Sequence, residues 1–217
     1  MKTKTLFLIL FLFAHANGMD LTKLIQETQQ IAQKPQQLSF VWWMPQVYWE
    51  NNFDQNPGMT EGQKEEILKR LKKYNIFAVV QSDIGTFGSF THKEKREIRQ
   101  NIKLQSDGVE IEEIPYTVVD QEVSNLLISM KPLLGQAMGE LGKGIEFIVY
   151  PGEVAGEKIL DPTSDGSFII TSFENDFRWR LPLGSLMPSV IDSETGEEFP
   201  GNYKFNPYNG NPLTQIE

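Results

Sequence analysis

Ile76-Phe-Ala-Val-Val80 is an unbroken apolar run. A strand with one wet face alternates apolar and polar residues, whereas a continuous run reads as a central strand covered on both faces. The chain must therefore build a layer on each side of this strand. A second β-rich run, Leu38-Ser-Phe-Val-Trp-Trp-Met44, stops at Pro45. No covalent staple helps to hold these layers, because the chain has no cysteine. An exported protein without cysteine has no disulfide framework and depends on an ordinary hydrophobic core. A chain of 217 residues is long enough to build one, as one domain or one domain with a small appendage.

The covering elements can be read from spacing. Asp20 to Gln33 carries Leu21, Leu24, Ile25 and Ala32 near helical spacing, which predicts a short helix running into a Gln-rich linker. Thr60 with Gln63 three residues later forms a capping box, and Ile67, Leu68, Leu71 and Tyr74 follow on one face. A helix from Thr60 to Tyr74 is expected. A longer one runs from Gln121 to Leu141, with the stripe Val123, Leu126, Leu127, Met130, Leu134, Met138 and Leu141. Pro132 removes a backbone donor in its middle and should kink it. Gly135 and Gly139 form a Gly-x-x-x-Gly that permits close internal packing.

Strands are expected from Ile98 to Leu104 and from Val109 to Ile114, joined at Asp107-Gly108, a strong hairpin signal. Three more follow: Ile145 to Tyr150, Ser167 to Phe173, and Phe177-Arg-Trp-Arg-Leu181, whose arginines belong on a wet face. The sum is an α+β fold: a mainly antiparallel sheet, two principal helices and an irregular C-terminal ribbon from Pro188.

The first residues address the compartment. Lys2 and Lys4, the apolar run Leu6 to Phe13 and the exit Ala14-His15-Ala16 have the order of a secretory signal, cut after Ala16 or after Gly18. The run is too short to span a membrane, which takes ~20 apolar residues. The expected organisation is a signal peptide over 1–16, an α+β domain over 17–187 and a tail over 188–217, with the mature chain periplasmic or secreted. There is no cysteine to carry a lipid anchor, and no later segment is apolar enough to span. Without Lys2 and Lys4, the 20 basic residues fall to 18 against 29 acidic, a net charge of −11. Such a surface repels phosphate backbones and argues against a nucleic-acid partner.

Two segments carry a resemblance. Phe40-Val-Trp-Trp-Met-Pro-Gln-Val-Tyr-Trp-Glu50, with the helix opening at Thr60, is similar to a group of uncharacterised exported bacterial proteins. The likeness extends more weakly from Lys131-Pro132 to Leu181-Pro-Leu-Gly-Ser-Leu186. It implies no particular activity. The tail Thr195-Gly-Glu-Glu-Phe-Pro-Gly-Asn-Tyr-Lys-Phe-Asn-Pro-Tyr-Asn-Gly-Asn-Pro-Leu213 resembles a zinc ribbon. Such ribbons carry cysteines before the Gly-Glu pair and within a Phe-Cys-Pro-Tyr segment. Here Asn206 stands in the latter place and Asp192 to Thr195 holds no cysteine, so the ligands that structural zinc needs are gone. The resemblance implies a ribbon that survives without metal, held by Phe199, Tyr203, Phe205 and Tyr208.

Three of the four tryptophans, Trp42, Trp43 and Trp49, fall in one short segment with Tyr48 and Phe53. Adjacent strand residues point to opposite faces. The expectation is that Trp42 packs in the core while Trp43 stays open, with Tyr48 and Trp49 folding back beside it as an aromatic platform for a glycan or another apolar ligand. The competing reading is core filling on both faces. Glu50, four residues before Asp54, and Asp83, which follows the central strand, are the candidates for a catalytic carboxylate facing a second one; two such groups across a cleft can hydrolyse glycosides. His92 sits in a charged stretch with no Gly-x-Ser-x-Gly elbow in the chain, which reads as a surface histidine. Asp161 to Gly166 opens like a calcium loop, but the bidentate glutamate position is Ser172, so a plain turn is expected. Lys93, Lys95, Arg96, Arg99 and Lys103 against Glu94 and Glu97 form a local basic patch, either a dock for an anionic polymer or a salt-bridged face.

No nucleophile, metal cluster, cofactor motif or phosphate loop is recognisable. The leading expectation is a non-catalytic exported protein that binds an envelope component, a glycan or a protein. The alternatives are a carboxylate hydrolase acting on glycans and a structural assembly partner docking through its tail.

Overall fold

A computed structural model describes residues 21–215; the expected signal segment lies outside them. The elements in chain order are α1 (Leu21–Thr28), β1 (Gln29–Lys34), β2 (Gln37–Met44), α2 (Gln46–Asp54), α3 (Glu61–Leu71), β3 (Tyr74–Ile84), β4 (Phe90–His92) and α4 (Lys95–Gln100). They continue with β5 (Ile102–Ser106), β6 (Val109–Ile111), α5 (Gln121–Met138), β7 (Glu146–Pro151), the short pair β8 (Glu153–Val154) and β9 (Glu157–Lys158), β10 (Gly166–Ser172) and β11 (Asn175–Leu181). The tail adds β12 (Val190–Asp192), β13 (Glu198–Phe199) and β14 (Leu213–Gln215). The fold is α+β, and every strand pairing among the described residues is antiparallel.

The apolar run lies in β3, at the centre of a sheet ordered β1-β2-β3. The far edge of β3 is shared by β7 along Tyr74–Val79 and β4 along Ser82–Ile84. A second sheet runs β11-β10-β5-β6. It covers one face of the first: Trp43 and Phe77, paired across β2 and β3, meet Phe168 of β10 at ring distances of 4.9 and 6.0 Å. Trp179 of β11 stacks on Phe168 at 4.9 Å. Ser39 ties the sheets together, accepting from the Asn175 amide at 2.9 Å and donating to Gln81. The opposite face carries Phe40, Trp42 and Met44, all buried. There α2 lies against it, with Tyr48 edge-on to Trp42 at 5.0 Å, α3 packs on α2 and β3, and α5 packs beside α3. Both sides of β3 are therefore covered, as its composition requires.

Several elements differ from the sequence reading: Tyr74, expected on the second helix, opens β3, the long helix stops at Met138 short of Leu141, and the strand expected to reach Ile114 ends at Ile111. The helix at Leu21 stops at Thr28, whose hydroxyl bonds back to the carbonyls of Leu24 and Ile25, and the chain turns into strand β1 instead of a linker. Lys95–Gln100 is a helix, so the expected strand begins only at Ile102; Ile98 is buried from the helix. Pro45 ends β2 but also starts α2, because proline is tolerated where a helix N–H is unsatisfied anyway. The Trp49 indole then donates to the Met44 carbonyl at 3.1 Å and fastens α2 to the end of the strand. The Thr60–Gln63 capping box and the Asp107-Gly108 turn, both residues with positive φ, form as expected. Pro132 lies inside α5. Gly135 serves internal packing: the backbone of Gly142 crosses α5 there, and a Cβ on Gly142 would lie 2.4 Å from the Leu134 carbonyl oxygen and 2.8 Å from the Gly135 Cα.

The tail closes around one carboxylate. Asp192 has no exposed surface. It accepts from the amides of Asn206 at 2.7 Å and Asn209 at 3.0 Å, and from the backbone N–H of Glu194 at 2.9 Å. The Asn206 and Asn209 oxygens are committed to the N–H groups of Tyr208 and Asn211, which turns their NH2 groups toward Asp192. Two similar turns, 192–196 and 206–210, thus face each other, each closed by a glycine N–H to the carbonyl four residues back. Phe199 is buried, with the rings of Tyr203 and Tyr208 each 6.3 Å from it, while the outer faces of Tyr203 and Tyr208 and most of Phe205 are exposed.

Candidate functional site

On the helical side a groove of about 1350 Å³ runs between α2, α3 and α5. Its floor is Tyr48, Trp49 and Phe53, the buried face of α2. Met59, Gln63, Glu66, Ile67 and Arg70 form one wall. The other is a stripe of α5: Glu122, Asn125, Leu126, Ser129, Met130, Leu133, Leu134 and Ala137. These positions advance by three and one residues alternately, the spacing of one helix face.

The stripe read from the sequence divides in two. Val123, Leu127, Leu134 and Met138 are buried, whereas Leu126 and Met130 are only partly covered and Leu133 is 63 % exposed. The helix is apolar over a wider arc than its core contacts use, and the surplus faces the groove. The signal for this site was Leu126, Met130, Leu133 and Ala137 at i, i+4, i+7 and i+11, a second stripe beside the first.

The groove is polar at one end. Arg70 reaches from the last turn of α3 to Asp120 at 2.8 Å, and also holds Glu66 at 2.7 Å. The hydrogen bond to Asp120, then that to Glu66, pushes the guanidinium further up, keeping it charged. Burial tends to raise Asp120, but the bond from Arg70 and the Glu122 N–H hold its carboxyl below the ordinary range. Glu122 has no ion pair among the described residues. The floor has one polar atom of interest: Tyr48 is 3 % exposed, its hydroxyl has no hydrogen-bond partner among the described residues, and burial drives its pKa up.

Of the proposed platform, Tyr48 and Trp49 line this groove, but Trp43 does not. Trp43 is 0 % exposed and faces the second sheet, so the three rings never share a surface. It is Trp42 that lies on the side of Tyr48. The expectation of an open Trp43 fails because β2 is covered on both faces.

Neither of the candidate carboxylates Asp83 and Glu50 lines the groove. Asp83 pairs in register with Gln37 at one end of β2, and Glu50 stands on α2, which follows the other end. Asp83 is ion-paired with Lys93 at 3.0 Å, and Glu50 is exposed outside the groove. The basic patch is largely neutralised: Lys93 meets Asp83, Lys95 meets Glu146, Arg99 meets Glu113 and Lys103 meets Glu110. His92 is half-buried, with Nδ1 2.8 Å from the Ser82 hydroxyl and its ring against Gly144. Asp161 caps a turn through Thr163 and pairs with Lys158. No group of three or more metal-binding side chains occurs among the described residues, and no described helix is long and apolar enough to cross a membrane. The chain matches no protein-family model, no curated protein and no solved structure.

Proposed function

We propose that this chain is an exported, non-catalytic binding protein of the cell envelope or medium, and that the groove between α2, α3 and α5 is its binding site. The observation that carries this reading is the second apolar stripe of α5, which the described elements cover only in part, leaving Leu133 largely exposed. A buried leucine or methionine side chain is worth about 1.5–3 kcal/mol over an exposed one. Leu126, Met130 and Leu133 thus form a surface with free energy to gain from a ligand. Export rests on the charge, apolar run and small-residue exit of residues 1–16. The carboxylate hydrolase is disfavoured because Asp83 is ion-paired with Lys93 and neither it nor Glu50 lines the groove. An assembly role for the tail draws on the exposed Phe205 and Tyr208 and comes second.

The test is titration with 1-anilinonaphthalene-8-sulfonate, comparing the native chain with a Met130→Glu, Leu133→Glu double variant. Saturable binding that weakens at least about tenfold, as losing a fraction of those side chains' burial implies, is expected at unchanged melting temperature. Equal binding by both proteins would place the apolar site elsewhere.

A further inference from the structure

From the groove's length and charge we infer that its occupant is an amphipathic helix with a cationic end, supplied by a partner protein; this rests on the groove being the binding site. The α5 stripe from Glu122 to Ala137 is about 22 Å long at 1.5 Å per residue. A cavity of about 1350 Å³ exceeds the roughly 300–1,000 Å³ usual for small-molecule sites. Two helices make its walls and a third its floor, the arrangement into which a further helix sets anchors spaced i, i+3, i+4 and i+7. Met59 and Met130 on opposite walls are unbranched and adapt to varied side chains.

Charge selects among helices. At the Arg70 end, Glu66, Asp120 and Glu122 stand against one guanidinium, an excess of two negative charges. The other end, at Met59, Leu133 and Ala137, carries none of the groove's charged residues. A bound helix therefore places lysine or arginine beside Glu66 and Glu122 and apolar residues along Met130 and Leu133. Such a fit fixes the direction in which the helix lies as well as its composition.

Three probes decide the matter by displacing the dye: an 18-residue Leu/Lys peptide with its lysines at one end, the same peptide with glutamates instead, and decanoate. The cationic peptide should displace the dye and gain helical circular dichroism on binding. The acidic peptide should not compete. A Glu66→Gln, Glu122→Gln variant should bind the cationic peptide about tenfold more weakly, whereas the dye, itself an anion, should bind it at least as tightly as it binds the native chain. Displacement by decanoate but not by the cationic peptide overturns the helix and leaves the groove reading standing. Equal displacement by both peptides overturns the charge selection. A dye that never binds overturns both readings.

Discussion

Trp42 and Trp43 are neighbours in the chain and lie in different interiors. Trp42 meets Tyr48 beneath the helices, and Trp43 meets Phe168 between the sheets. Both are buried, at 2 % and 0 % exposure. Trp42→Ala and Trp43→Ala should therefore destabilise by comparable amounts, about 3–5 kcal/mol each, the cost of emptying a buried aromatic site. Equilibrium denaturation measures both; a loss under about 0.5 kcal/mol at Trp43, within the range of ordinary surface substitutions, would return it to solvent. The indole N–H of each has no partner among the described residues, so Trp43→Phe, which removes the orphaned donor, should cost much less than Trp43→Ala. The alternation of β2 showed that the two rings must part, but not that both faces are dry. That information lay in another segment: Ile76 to Val80 is apolar throughout, and a strand in register beside a doubly covered strand shares its cover.

At the scale of elements, local chemistry was legible where it closes within a few residues. The Thr60–Gln63 box, the Asp107-Gly108 turn and the long stripe of α5 each satisfy their own backbone or spacing. The helices α2 and α4 were not legible, because their reasons are tertiary: Trp49 bonds the end of β2, and Ile98 fills a place in a core assembled from distant strands. The tail shows the same division. Its glycines mark the two turns, but the closure depends on Asp192 meeting Asn206 and Asn209, 14 and 17 residues away. The tail surrounds an anion with N–H donors, the reverse of a structural metal site, which surrounds a cation with anionic ligands. Asp192→Asn should lower the melting temperature or loosen the tail to limited proteolysis, and chelator should change neither. The bonds from Asn209, then Asn206, hold Asp192 well below the ordinary carboxylate range. A carboxyl depressed in the folded state stabilises fully above its unfolded pKa, about 3.9, and loses this as pH falls through the folded value. Tail protection should persist at pH 5 and fail only in stronger acid; loss between pH 7 and 5 would assign it to another group.

For the molecule as a whole, the layering was legible and the groove was not. Apolar residues on α5 read as core because a sequence does not say how much of an apolar arc its neighbours cover. Only with α2, α3 and α5 placed does the surplus of Leu126, Met130 and Leu133 become visible. The placement of the tryptophans also gives the molecule an optical asymmetry. Trp49 floors the groove and Trp42 lies one ring behind it through Tyr48, while Trp43 and Trp179 are enclosed on the far side of the sheet. The emission of this chain therefore contains its own reference channel. In variants that keep a single tryptophan, filling the groove should shift the spectrum of Trp49 and leave that of Trp179 in place, whereas a ligand that shifted both would be reporting a change in the sandwich itself.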